Sequence, residues 1–128
     1  MTSTTACAEI IAIGTELTCG SKLDTNSQWL SRELESLGWT VMRHTTLADD
    51  LDLIIEELQA AAERSQAVLI TGGLGPTLDD LTREAVAAAL GRQLLFQSEV
   101  AQAIERSAVA GGGALRATDL AAHRSQWV

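Results

Sequence analysis

Residues 67–82 read Ala67-Val68-Leu69-Ile70-Thr71-Gly72-Gly73-Leu74-Gly75-Pro76-Thr77-Leu78-Asp79-Asp80-Leu81-Thr82, and this stretch decides the fold. Its first five residues are apolar or β-branched, the composition of a strand buried on both faces. Gly72-Gly73 stops the strand. From Leu78 an apolar periodicity runs to Leu90 and halts at Gly91, which predicts a helix over 78–90 with Thr77 and Asp80 at its start. A strand that passes through a glycine-rich turn straight into a helix is one half of a β–α–β unit. Such a turn lies at the carboxyl edge of a parallel sheet, where ligands bind.

Glycines at 72, 73 and 75 allow backbone N–H groups to converge on an anion, and Pro76 stiffens the exit. A helix starting at Leu78 would add the positive end of its dipole. Phosphate or pyrophosphate fits that description. Asp79 and Asp80 would repel it, so a divalent cation between carboxylate and phosphate reconciles the two, and hard oxygen ligands favour Mg²⁺ or Mn²⁺. The glycine spacing is not GxGxxG, and no Gly-Lys-Ser/Thr follows as in a P-loop. The plain alternative is a tight turn whose aspartates only favour a helix start.

Outward from this stretch the chain keeps alternating. Strands are expected over 8–13 and 40–46. Helices are expected over 26–37, with Leu30, Leu34 and Leu37 on one stripe before Gly38, and over 50–64, with Asp49 as cap. A last helix begins at Ser98 and runs to about Ser107. The order predicts an α/β three-layer sandwich with a mostly parallel sheet covered by helices on both faces. The 128 residues suit one domain, 1–128, with a defined body to about Gln97.

Composition excludes several classes. Nine basic residues against seventeen acidic ones give a net charge of −8, the wrong sign for a nucleic-acid or anionic-membrane surface. Cys7 and Cys19 form neither CxxC nor a zinc spacing, there is no signal-peptide pattern, and no apolar run is long enough to span a bilayer. A cytoplasmic protein is expected.

A second loop at the same edge runs from Gly14-Thr15-Glu16 to Asp24-Thr25-Asn26. Glu16 follows a strand directly and is a candidate for orienting a water; it also reads as a solvated charge, and Asp24 or Thr25 as a helix cap. Cys19 has no well-placed histidine, since His44 falls in a strand and His123 in the tail, so it reads as a small loop residue.

The strings AEIIAIGTEL, DTNSQWLSREL and above all TGGLGPTLDDLT resemble the CinA family of competence/damage-inducible proteins, specifically its N-terminal domain of the MoaB/Mog-like molybdopterin-binding fold. The resemblance covers about 8–97. It implies a domain that binds a phosphorylated pterin or nucleotide, with molybdopterin itself a possible ligand, and that is associated with metal-dependent ADP-ribose pyrophosphatase activity. It implies substrate contacts at Gly14, Thr15, Asp24, Asn26, Gly72, Gly73, Gly75, Pro76 and Thr77, catalytic roles for Glu16, Asp79 and Asp80, and metal binding by Asp79 and Asp80. A homo-oligomer is expected too, because a sheet edge or helix face left bare by missing strands would favour self-association. The family's separate amidohydrolase domain has no counterpart in this length. After Ser107 the sequence departs from the family's pattern, so 108–128 reads as a divergent tail. The sheet is expected to be incomplete at its C-terminal side, as in a fragment or a frame-shifted product. A binding module without turnover is the rival reading. A signalling receiver is disfavoured, because its acidic pair would follow the first strand.

Overall fold

The computed structural model describes residues 5–110. Three strands form a sheet of order β2-β1-β3: β1 (Cys7–Ile13), β2 (Thr40–Leu47) and β3 (Ala67–Thr71). Both pairings are parallel, with Ile11 beside Thr45 on one side and Ile70 on the other. Being central, β1 has residues Ala8 to Ile13 all buried. This explains why its sequence is apolar at successive positions rather than alternating.

The faces of β1 separate by strand periodicity. Ile11 and Ile13 pack with Ile54, Leu58 and Ala61 of α3 (Leu51–Arg64) and Ala85 of α4 (Thr82–Ala89). Ala8, Ile10 and Ala12 face the other way, where α2 (Thr25–Ser36) crosses β1 and β2. Each fully buried isoleucine contributes about 1.5–3 kcal/mol relative to an exposed one. The expected three-layer arrangement is present, and α5 (Ser98–Ala110) follows the connection after α4. No helix among the described residues is long and apolar enough to cross a membrane.

Gly38 and Gly91 stop α2 and α4 as expected, each in a left-handed conformation. The Gly38 and Trp39 amides donate to the Glu35 and Leu34 carbonyls, and those of Gly91 and Arg92 to Ala88 and Ala87. These are paired Schellman closures.

Four details differ from the sequence reading. A four-residue helix, α1 (Thr15–Thr18), occupies what was expected to be loop. Asp50, not Asp49, caps α3, through its carboxylate and the Leu53 amide at 3.1 Å. The helix expected from Leu78 starts at Thr82, and the last helix extends to Ala110. His123 and residues 111–128 of the tail lie outside the described residues, so the expected incompleteness beyond them is not addressed by these elements.

At the amino edge of the sheet, Glu9 on β1 is a carboxylate with only 3% of its side chain exposed. Arg64 at the end of α3 holds it through Nε at 2.9 Å and Nη2 at 2.8 Å, and the Ser65 hydroxyl adds a third donor at 2.8 Å. These bonds, Arg64 first, hold the Glu9 carboxyl below its ordinary value of 4.5 despite the opposing cost of burial.

Candidate functional site

At the opposite, carboxyl edge, β1 and β3 end beside each other and the two unusual loops meet. Gly72 has φ +86°, and a Cβ placed on it would lie 1.9 Å from the Ile13 carbonyl oxygen. Gly73, with φ +64°, is also too close to the Thr82 hydroxyl to carry a Cβ without a shift. That hydroxyl donates to the Gly72 carbonyl at 2.7 Å, and the Thr82 amide to the Gly73 carbonyl at 3.1 Å. Glycine is thus required at 72 and 73 by the protein's own backbone and by α4, before any ligand is considered.

The acidic pair divides. Asp80 accepts from the Thr77 amide at 3.0 Å and the Thr77 hydroxyl at 2.7 Å, closing the turn that precedes α4. Burial raises the Asp80 carboxyl, but the Thr77 bonds, the Gly75 amide and the Arg83 charge outweigh it, so the net shift is downward. Arg83 in turn donates to the Leu74 and Gly75 carbonyls at 2.8 and 3.2 Å. Asp79 is exposed. With α4 beginning at Thr82, the amide dipole expected from Leu78 acts four residues later, against the glycine carbonyls.

Between the loops lies a cleft of about 160 Å³, lined by Ile13, Glu16, Leu17, Lys22, Leu23, Asp24, Thr25, Asn26, Thr71 and Gly72. The structure therefore brings together Glu16, Asp24, Asn26 and Gly72 of the expected site residues. Glu16 is exposed, and its carboxylate folds back over Gly14, whose added Cβ would fall 2.6 Å from Glu16 Oε1. Asp24 lines the cleft while capping α2, with Oδ1 accepting from the Ser27 amide at 3.0 Å and Oδ2 from the Ser27 hydroxyl at 2.5 Å. Gly73, Gly75, Pro76, Thr77, Asp79 and Asp80 flank this cleft without lining it.

One pairing and one residue escaped the sequence reading. Thr15, expected to contact substrate, and Asp49, expected to cap a helix, bond each other reciprocally: the Thr15 amide donates to Asp49 Oδ2 at 3.0 Å, and the Asp49 amide to Thr15 Oγ1 at 3.2 Å. With the Gly14 amide donating to the Leu47 carbonyl at 2.9 Å, this stitches the ends of β1 and β2 and fixes where α1 and Glu16 sit. The other is Lys22, whose amide donates to the Glu16 carbonyl at 3.0 Å and which lines the cleft. Its signal was present in the sequence as the chain's single lysine. Cys19 is exposed beside the Ser21 hydroxyl, which lowers its thiol, and is not among the cleft residues.

No group of three His, Cys, Asp or Glu side chains converges to hold a metal among the described residues.

Comparison with known proteins bears on the family and the fold. The family model described as a probable molybdopterin binding domain matches residues 9–123. A CinA-like protein of Solibacter usitatus is 50% identical over 99 residues, and one of Kosmotoga olearia 46% identical over 98; each alignment covers 77% of this chain. The chain spans 24% of the length of these relatives. The crystal structure of CinA from Thermoplasma acidophilum, a protein of unknown function, superposes with a TM-score of 0.82 at 29% identity, covering 96% of this chain and 70% of that one. The tungsten cofactor synthesizing protein MoaB from Pyrococcus furiosus has a TM-score of 0.64 at 24% identity over 85% of this chain and 68% of its own, a likeness of fold.

Proposed function

Because the chain belongs to the family of probable molybdopterin-binding domains, on its CinA-like side, we propose that its cleft binds a phosphorylated pterin or nucleotide. The observation that carries this reading is the convergence of Glu16, Asp24 and Asn26 from the first loop with Gly72 from the second on one small cleft. The expected result is that ADP or ADP-ribose with Mg²⁺ or Mn²⁺ raises the thermal midpoint, while adenosine does not. Equal shifts from ADP and adenosine would instead assign recognition to the base.

A second reading, metal-dependent hydrolysis of ADP-ribose at its pyrophosphate, is favoured by one observation: the exposed Glu16 carboxylate stands over Gly14 in the same cleft as Gly72, where it is able to accept a proton from an attacking water. A divalent cation held by Asp79 or Asp80 with the diphosphate would supply charge neutralisation there. Asp79→Asn and Asp80→Asn should each lower turnover about a hundredfold or more on this reading. They should leave diphosphate binding intact or tighter if the chain only binds. Because the Asp80 carboxylate already closes a turn, the binding outcome is expected, and measurable ADP-ribose turnover by the parent chain would overturn it.

The reading extends to a cytoplasmic homo-oligomer. An apolar groove of about 250 Å³ between α3, β3 and α4, lined by Leu58, Val68, Ile70 and Val86 among others, offers a surface for self-association. Light scattering at micromolar concentration should give more than the monomer mass of 13.6 kDa. A sharp monomer peak would remove the oligomer from the proposal.

A further inference from the structure

We propose that Lys22 is the specificity-determining residue of the cleft, the cation that makes it select a phosphate-bearing ligand over the neutral pterin or nucleoside. This deepens the reading above and rests on it.

The argument begins with the charges at the carboxyl edge. Glu16 and Asp24 line the cleft, and Asp49, Asp50 and Asp80 bond nearby amides. A phosphate entering there meets the Glu16 and Asp24 carboxylates, and such short-range repulsion is only partly screened by salt. The basic residues are mostly committed elsewhere or placed on other elements. Arg64 is bonded to Glu9 and Glu57, Arg83 reaches the Leu74 and Gly75 carbonyls, and Arg32 lies on α2 beside Trp29 and Glu33. Lys22 is the cationic residue among those lining the cleft, and neither of the two ion pairs found among the described residues involves it.

Its position is also fixed. The Lys22 amide donates to the Glu16 carbonyl, as does the Ser21 hydroxyl, so the loop folds back over α1 and carries Lys22 to the same cleft as Glu16. Three residues later, Thr25 begins α2, and the Asp24 cap already holds the Ser27 amide. The Asp24 carboxylate at this helix start adds a negative charge beside the amides that remain, and the Lys22 ammonium is the positively charged side chain among the cleft residues able to meet the phosphate. A neutral ligand gains nothing from it, and selectivity follows from that difference.

The test uses the full chain with inorganic pyrophosphate and Mg²⁺ as the probe, with ADP and adenosine as further arms. Lys22→Gln should weaken pyrophosphate and ADP binding at least tenfold, leave the ligand-free melting curve unchanged, and make the remaining affinity less sensitive to salt. Lys22→Arg should retain binding within about threefold, and Arg92→Gln, just after α4, should leave it unchanged despite the same loss of charge. Because Lys22 is the only lysine, reductive ¹³C-methylation places one ε-amine label on the chain besides the terminal amine. Its NMR signal should move on titration with pyrophosphate, saturating at the measured dissociation constant, and stay still with adenosine. Unchanged affinity in Lys22→Gln, an equal loss in Arg92→Gln, or a stationary methyl signal while pyrophosphate binds would overturn the assignment of Lys22 and leave the cleft's phosphate reading standing. If the parent chain binds neither pyrophosphate nor ADP, both readings fall together.

Discussion

Gly72→Ala should come close to preventing folding. The methyl group would have to share space with the Ile13 carbonyl oxygen, 1.9 Å away, at a residue held at φ +86°. The left-handed conformation alone costs an ordinary residue about 1–2 kcal/mol. The overlap cannot be relieved by a rotamer change, because the obstructing atom is main chain at the end of the central strand, so β1 and β3 would have to separate. A total of about 4 kcal/mol or more is expected, a large part of the stability of a domain of this size. Gly91→Ala is the control: φ is +62° there too, but nothing lies within 4 Å of the added methyl, so only the conformational cost remains. Urea unfolding of the two variants should separate them by several kcal/mol, and near-equal midpoints would show that the strands do not approach as closely as described.

Breaking the Glu9–Arg64 pair should have the next largest effect. Arg64→Met leaves the buried Glu9 carboxylate with the Ser65 hydroxyl alone, and the thermal midpoint should fall by about 10 °C or more at pH 7. Replacing both partners, as Glu9→Val with Arg64→Met, should recover most of the loss, since an apolar pair has no charge to desolvate. The pH dependence carries a sign. In the parent, the Glu9 carboxyl is lowered from 4.5, chiefly by Arg64, so its contribution is complete above pH 4.5 and is lost as pH falls through the lower folded value. In Arg64→Met the unpaired carboxyl is raised by burial, so the penalty should shrink as pH drops towards 4 and the proton neutralises it. Melting curves between pH 3.5 and 7 that run parallel for the two proteins would contradict this.

Much of the fold was legible in residues 67–91, because a buried strand, a glycine turn and a helix leave different periodicities in the same short window. The strand at 8–13 was legible for a related reason, since only the central strand of a covered sheet has no need to alternate. The helix starts were less so. Asp49 and Asp50 are equally good caps in sequence, and only the pairing of Asp49 with Thr15 leaves Asp50 to cap α3. Leu78 continues an apolar stripe into α4, yet 92% of it is exposed, because Asp80 closes a turn on Thr77 first.

The candidate site divides along the same line. Residue identity and local order alone determined that two loops, around Glu16 and Gly72, would lie at the carboxyl edge, since parallel β–α units put such loops there. That they meet follows from β1 and β3 being neighbours in the sheet. Which side chains share the cleft was decided only by tertiary structure. Asp80 is drawn away by Thr77, Thr15 by Asp49, and Lys22 is brought in by a bond to Glu16 across six residues of chain. Each of these bonds depends on distances of a few ångströms set by how turns fold and, for Thr15 and Asp49, by how distant segments meet, whereas periodicity reports only which face of its own element a residue occupies.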